Sequence, residues 1–397
     1  MCSRNLNMDF QKALLDQNTG CLPAVLVVGN GLSGGGAEAR LSRLAKHLFN
    51  GQVDVALVSG NGPLNELASG EIFYLLWKSR FSYPRLAWNL RRILQTRKYD
   101  AVMAFGLFPV AISSLAIMGL TNRPKLIVSE ITRPIAEAHM LNGMRRLIYF
   151  YLRKLLYRLG DLITANSIDG LAETCQVIGA NPKFGVRLPN IVDIEQIRKN
   201  ANRQAPCSIR HGRYLICVGR LDFTKRMDTV VDAFGLLEGR SRCGLVIVGD
   251  GKERQALEAR VKALGLENSV TFTGRLENPF PLMKGGSAFV LASEHEGFSN
   301  SALEAMFCDV PVITSFCSTD AREMCDQGAA LGFEVGDTLQ LSRHISAIVD
   351  DESVGQKLVS RAREYRARHE MNQAIPVYEG VIRRVVELTC PEVQRHG

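Results

Sequence analysis

The sequence predicts an α/β protein of two doubly wound domains facing a central cleft. Three observations carry that expectation. The chain has 397 residues, too many for one small core and a natural length for two. Short apolar or β-branched runs alternate with helical patterns in two separate series, the signature of βαβ units whose parallel sheets are covered on both faces. Between the series lies IEQIRKNANRQAPCSIRHGR (194–213), polar and without an apolar period long enough to bury a face. The expected division is a flexible N-terminus (1–20), a first domain (21–193), a link (194–213), a second domain (214–375) and a C-terminal helix (376–397) able to pack back on the first domain.

Residues 1–20 are polar and expected to be poorly ordered. AVLVVG (24–29) reads as a buried strand, NGLSGGG (30–36) as a glycine turn and Ala37–Leu48 as a helix. Strands follow at VDVALVS (53–59), DAVMAFG (100–106), KLIVSE (125–130) and DLITANS (161–167), and RLPNIVD (187–193) closes the series. The second series runs through YLICVGR (214–220), GLVIVGDG (244–251), SVTFTGR (269–275), SAFVLAS (287–293) and VPVITS (310–315). Its helices lie at Met227–Leu237, Glu253–Leu264 and Ser301–Phe307, with a last one from Val377 to Leu388. The uncharged stretch 101–122 is long enough to raise a spanning helix. Gly106 and Pro109 break it and Ser113 and Ser114 dilute it, so a strand, a turn and a core helix is the preferred reading.

A composition of 46% hydrophobic and 22% charged residues excludes a disordered chain, a collagen and a disulfide miniature. The ten cysteines form no C-x-x-C pair, and several sit in apolar runs, which suggests a reducing compartment. MCSRNLNMDF lacks an apolar signal core. Residues 1–190 hold 22 Lys/Arg against 12 Asp/Glu, whereas 191–397 hold 26 against 28. The basic excess belongs wholly to the first half and points to an anionic partner there: a membrane surface, a phosphorylated substrate or nucleic acid.

Gly29-Asn-Gly31-Leu-Ser-Gly34 has the spacing of a dinucleotide fingerprint, but the second strand ends in Ser59-Gly60 without the acidic residue a ribose would want. A ligand-free glycine turn is one alternative. The other is that Gly34, Gly35 and Gly36 bring bare N–H groups to a phosphate at a helix start, with Glu38 and Arg40 on the first turn. Gly219-Arg220-Leu-Asp-Phe-Thr-Lys225 follows the first strand of the second series, and its two cations suit a diphosphate or form a solvated basic loop. Glu294-His-Glu296-Gly-Phe-Ser-Asn300-Ser-Ala-Leu-Glu304 places one carboxylate in a loop and another in a helix, with Ser299 or Asn300 to cap it. His295 reads as a loop bystander.

E-G-F-x-N-x-x-x-E-A-M resembles the retaining GT-B glycosyltransferases of family 4, whose fold is two Rossmann-like domains. The resemblance is carried in order by GGGAEARLSRLAKHL, KYDAVMAF, RLPNIVD, VGRLDFTKRMDTVVDAF, VIVGDGKERQALE and VTFTGR, and covers residues 22–388. It implies that Arg220 and Lys225 bind the donor diphosphate, Glu304 the ribose and Glu296 the donor-sugar hydroxyls. Gly35 and Gly36 would line the phosphates, the main chain at Gly274 and Arg275 would hold the base, and the helix from Asn300 would add amides. Catalysis would rest on Glu296, Arg220 and Lys225, by front-face attack with retention and without a carboxylate nucleophile. No D-x-D occurs, in keeping with a metal-free reaction in which a nucleotide sugar is substrate and no cofactor is needed. The family's sugar-contacting His has no match in VSEITRPIAEAHM, where Glu130 and Arg133 stand instead, with His139 too far along. Glu38, Glu130 and Arg133 are the acceptor-side candidates, and Asn190-Ile191 replaces the usual Asn-Gly.

MRRLIYFYLRKLLYRL (144–159) has an apolar stripe of Ile148, Leu152, Leu155 and Leu159 at the spacing of a buried helix face, with Tyr151 beside it. Arg146, Arg153, Lys154 and Arg158 fall elsewhere on the wheel, and Arg145 at the stripe's edge. Residues 77–98 add Trp77, Phe81, Tyr83 and Trp88 among seven basic residues. Rings beside cations resemble an interfacial surface, against the alternative of an ordinary solvated face. No nucleic-acid module appears. The expectation is therefore a glycosyltransferase moving a sugar from a nucleotide diphosphate, UDP first and GDP second, to a glycan acceptor carried on a lipid. It would act in the cytoplasm as a peripheral protein at the inner face of the membrane. A sugar-nucleotide epimerase and a catalytically silent membrane partner are the rival readings.

Overall fold

The computed structural model describes residues 22–31, 36–58, 70–75, 83–139, 141–179, 185–205, 212–237 and 243–387. The expected flexible N-terminus, the loop residues 32–35, Trp77 and Phe81 lie outside them. The chain divides into one unit of residues 1–191 with 371–397 and another of residues 192–370.

The first unit is a seven-stranded parallel sheet. Its elements are β1 (Val25–Gly29), α1 (Gly36–His47), β2 (Asp54–Leu57), β3 (Ile72–Tyr74), α2 (Tyr83–Thr96), β4 (Ala101–Phe105), α3 (Leu107–Ile117), β5 (Lys125–Glu130), α4 (Pro134–His139), α5 (Gly143–Tyr157), β6 (Leu162–Ala165), α6 (Ile168–Ile178) and β7 (Gly185–Arg187). The strand order is β3-β2-β1-β4-β5-β6-β7. Along β1, Val25 and Val27 join one core while Leu26 and Val28 join the other. Side chains alternate across a strand, so a run apolar at every position is what a sheet covered on both faces requires. The stretch 101–122 is β4, a turn at Gly106 (φ +81°) and α3. No helix among the described residues is long and apolar enough to cross a membrane.

The second unit holds α7 (Ile194–Ala201), β8 (Tyr214–Val218), α8 (Met227–Gly235), β9 (Gly244–Val248), α9 (Arg254–Ala263), β10 (Val270–Gly274), α10 (Phe280–Gly285), β11 (Ala288–Leu291), α11 (Asn300–Phe307), β12 (Val312–Ser315), α12 (Thr319–Asp326), β13 (Leu331–Phe333), α13 (Thr338–Asp350) and α14 (Glu352–Arg366). Its parallel order is β10-β9-β8-β11-β12-β13. The polar stretch read as a link begins with α7, capped by Asp193 on Gln196 N and seated in the second unit's core through Ile197 and Ala201. Ile194 packs against the same core, so three apolar residues at i, i+3 and i+7 dock a helix of eight residues, too short for its period to stand out in a polar stretch.

The last helix, α15 (Met371–Glu387), belongs to the first unit and begins before residue 376. Ala374, Ile375, Tyr378, Val381 and Ile382 enter the core that holds Val25 and Val27. Tyr378 donates to Pro189 O at 2.9 Å, and Phe49 N donates to Glu379 Oε1 at 2.6 Å.

One expectation reverses. Ile148, Leu152 and Leu155, read as the buried stripe of α5, are exposed, whereas Tyr149, Arg153, Leu156 and Tyr157 are buried. The physical reason is a charge at the end of β5. Arg153, 2% exposed, forms an ion pair with the fully buried Glu130. Glu130 Oε2 also accepts from Tyr157 OH at 3.1 Å, and its Oε1 accepts from the N–H groups of Ile131 and Thr132 at 2.9 Å. The guanidinium lies over the rings of Tyr149 and Tyr157, 4.7 and 5.3 Å from their centroids. A buried carboxylate needs its counter-charge, and the helix turns to supply it.

Candidate functional site

In the second sheet the strand order reverses between β8, whose next strand lies on one side, and β11 on the other. The crevice beyond the carboxyl ends of strands at such a reversal is where open α/β sheets bind ligands. Two loops meet there: Gly219–Arg226 after β8, and Ala292–Ser299 after β11.

The first loop is held by backbone. Gly219 N donates to Val248 O at 3.0 Å, Leu221 N to Asp250 O at 2.9 Å and Glu253 N to Leu221 O at 3.0 Å. The approach is so close that a Cβ on Gly249 (φ +141°) would stand 1.8 Å from Gly219 O, which reserves that position for glycine. A 3-10 turn, Phe223–Lys225, then ends in Arg226 in the left-handed region (φ +46°). Glu294 N donates to Thr224 O at 2.8 Å, tying this turn to the second loop.

Across that tie Lys225 Nζ meets Glu296 Oε1 at 2.5 Å, although 71 residues separate them. Both side chains are largely but not fully buried, so the pair stays reachable from solvent. Glu296 Oε1 also accepts from Ser293 Oγ at 2.7 Å, and Ser315 Oγ donates to Ser293 O at 2.6 Å. Ser293 and Ser315 were missed in the sequence. The available signal was a hydroxyl closing an otherwise apolar strand three residues before Glu296. Burial first, and the Glu296 charge second, push the Cys317 thiol up to about 11, so it stands neutral beside the pair.

α11 starts at Asn300, capped by Ser299 Oγ on Ala302 N at 3.3 Å, and Glu304 stands half-buried in its second turn. Arg220 is 83% exposed, 3.5 Å from Asp222. Gly274 (φ +73°) closes β10, its carbonyl accepts from Gly249 N at 2.9 Å, and Arg275 follows, exposed. The structure thus brings Lys225 and Glu296 together, with Arg220 on the same loop as Lys225. A cavity of about 390 Å³ beside this loop is lined by Asp222, Phe223, Arg226, Asp228, Glu253 and Arg260 among others. Lys225 is not in its wall and turns to Glu296 instead.

The remaining expected residues stand in the first unit. Gly35 and the side chain of Glu38 lie outside the described residues, and Gly36 opens α1. Arg40 is buried, its Nη2 donating to Ser129 Oγ at 3.2 Å. Arg133 pairs with Glu173 at 2.8 Å and lies 3.9 Å from Asp169. Glu130, expected on the acceptor side, has both oxygens engaged by Arg153, Tyr157 and the backbone, and holds α5 in place. Among the described residues no group of three or more His, Cys, Asp or Glu is placed to hold a metal ion.

Two family models match side by side: Glycosyltransferase Family 4 over residues 34–196 and Glycosyl transferases group 1 over residues 199–365. Two curated relatives come from Campylobacter jejuni. The N-acetylgalactosamine-N,N'-diacetylbacillosaminyl-diphospho-undecaprenol 4-alpha-N-acetylgalactosaminyltransferase is 28% identical over 70% of this chain and 75% of its own length. The GalNAc-alpha-(1->4)-GalNAc-alpha-(1->3)-diNAcBac-PP-undecaprenol alpha-1,4-N-acetyl-D-galactosaminyltransferase is 26% identical over 84% and 90%. Among solved structures, HepE of Anabaena in complex with UDP superposes with a TM-score of 0.73 at 19% identity, covering 92% of this chain and 99% of that one.

Proposed function

The chain belongs to the GT-B glycosyltransferases built from a Glycosyltransferase Family 4 domain and a Glycosyl transferases group 1 domain, and on that premise we propose that it moves a sugar from a UDP-sugar, with retention, to a glycan acceptor carried on a lipid. The product is an extended cell-surface polysaccharide or glycolipid precursor, made at the inner face of the membrane through the basic first domain. The observation that carries the proposal is the Lys225–Glu296 pair at the strand-order reversal, a cation suited to a phosphate held beside a carboxylate suited to sugar hydroxyls. The Campylobacter relatives, named for transfer to undecaprenyl-diphosphate glycans, support the choice of acceptor.

In this reading Lys225 and Arg220 neutralise the departing diphosphate, with the amides at the start of α11 adding to them. Glu296 accepts from the donor-sugar hydroxyls and Glu304 from the ribose. The main chain at Gly274 and Arg275 holds the base. The acceptor oxygen bonds to the anomeric carbon on the face from which the diphosphate leaves, the bond from that carbon to the phosphate oxygen breaks, and the leaving phosphate takes the acceptor proton, so no carboxylate nucleophile is needed.

The test is a UDP-release assay over a panel of UDP-sugars, with and without a lipid-diphosphate glycan, followed by NMR of the new anomeric centre. Acceptor-dependent release and an α-linked product are expected. Lys225→Ala and Glu304→Ala each lower transfer by about 10²–10³-fold with an unchanged melting temperature. Near-normal rates in these variants overturn the site assignment. UDP release with an altered free sugar and no acceptor identifies an epimerase instead.

A further inference from the structure

We propose that α2, α3 and α5 of the first unit form one docking surface for an anionic lipid bilayer, on which α5 lies in the plane of the interface with its apolar side inserted. The inference gives residues to the membrane contact of the proposed function, and it stands on the surface alone.

α5 exposes Met144, Leu147, Ile148, Tyr151, Leu152 and Leu155, with Leu147 at 65% and Tyr151 at 66%. These recur at three- and four-residue steps, so they form one unbroken side along the whole helix, about 22 Å long. The opposite side is pinned inward by the buried Arg153–Glu130 pair, so the outward stripe is a fixed feature of the fold. α3 adds Phe108, Leu115 and Met118 on one line, and α2 adds Trp88.

The three helices are neighbours. Ser114 Oγ on α3 donates to Leu156 O on α5 at 3.0 Å. Arg91 on α2 reaches Ala116 O at the end of α3 at 3.2 Å, and Tyr83 stacks on Phe108 at 5.9 Å. Soluble proteins rarely leave an apolar patch of this extent bare without a partner for it.

Charge selects the partner. α2, α3 and α5 contain no Asp or Glu, while Arg85, Arg92, Arg145, Arg146 and Lys154 stand exposed on them, with Arg158 just beyond. A second copy docking through the same face would set these cations against themselves. An anionic headgroup layer meets the cations while its acyl boundary takes the stripe, and Trp88 and Tyr151 are the ring types that settle at that depth.

The test is cosedimentation of the full chain with phosphatidylcholine vesicles, with or without phosphatidylglycerol, at low and high salt. Binding to the phosphatidylglycerol vesicles is expected, weakened by salt. The triple variant Leu147→Gln, Tyr151→Gln, Leu155→Gln alters only exposed side chains and keeps its melting temperature, yet binds at least about tenfold more weakly. Lys154→Glu with Arg158→Glu abolishes the preference for phosphatidylglycerol. A wild-type chain that stays in the supernatant, or a triple variant that binds as well as wild type, overturns the proposal. So does a dimer in sedimentation equilibrium that the triple variant dissociates, which would make the face an interface between copies. Transfer to a water-soluble acceptor analogue without vesicle binding refutes this surface alone. Vesicle binding without transfer to any lipid-linked glycan refutes the proposed function and leaves the surface standing.

Discussion

Ser293 is the least conspicuous member of the second unit's site and the one that sets its geometry. Its hydroxyl donates to the same Glu296 oxygen that meets Lys225, while Ser315 fixes its own carbonyl. Without it the carboxylate keeps its cation but loses the contact that selects its rotamer. A hydrogen bond to a charged group contributes about 1.5–3 kcal/mol, which corresponds to roughly ten- to a hundredfold in rate if the orientation matters to the transition state. Ser293→Ala is expected to lower kcat about tenfold. Steady-state kinetics with a thermal melt check this, and kinetics equal to wild type would remove Ser293 from the site.

At the scale of elements, α5 shows how one ion pair decides which side of a helix is inside. The aliphatic stripe has the better hydrophobic spacing, yet Tyr149, Arg153, Leu156 and Tyr157 are the residues buried. Burying an unmet Glu130 would cost more than leaving the stripe in solvent, and Arg153 arrives with two rings and their hydroxyls to complete the packing. Burial is the largest influence and opposes the Arg153 charge, but Glu130, Tyr157, Tyr149 and Glu137 together outweigh it and the guanidinium's pKa is raised. Arg153→Met strands the carboxylate and is expected to cost about 3–5 kcal/mol in urea unfolding. Adding Glu130→Gln recovers part of that loss. Equal stability of wild type and Arg153→Met would show that the pair does not hold the helix.

For the molecule as a whole, the order of the chain and the division into units disagree at one place. The last helix completes the first unit's core after the chain has built the second. Ile375, Tyr378, Val381 and Ile382 are each buried there, and each such side chain contributes about 1.5–3 kcal/mol, together comparable with the 5–15 kcal/mol by which a domain is stable. A chain ending at Glu370 is expected to lose the first unit's cooperative transition and expose residues 22–191 to trypsin, while the second unit stays resistant. A first unit that still melts cooperatively would contradict this.

Strands such as β1, β4, β8 and β11 were legible because a sheet covered on both faces writes its requirement into consecutive residues, and so were the loops after β8 and β11 that carry Lys225 and Glu296. Nothing local, however, joins Lys225 to Glu296, Arg153 to Glu130 or Tyr378 to Pro189. Periodicity along a chain records the backbone conformation and the side it turns inward when only hydrophobicity is at stake. Strand order brings residue 225 beside residue 296, and a buried carboxylate finding its nearest cation can rotate a helix against its own apolar pattern, because an unpaired charge in the interior costs more than an exposed leucine.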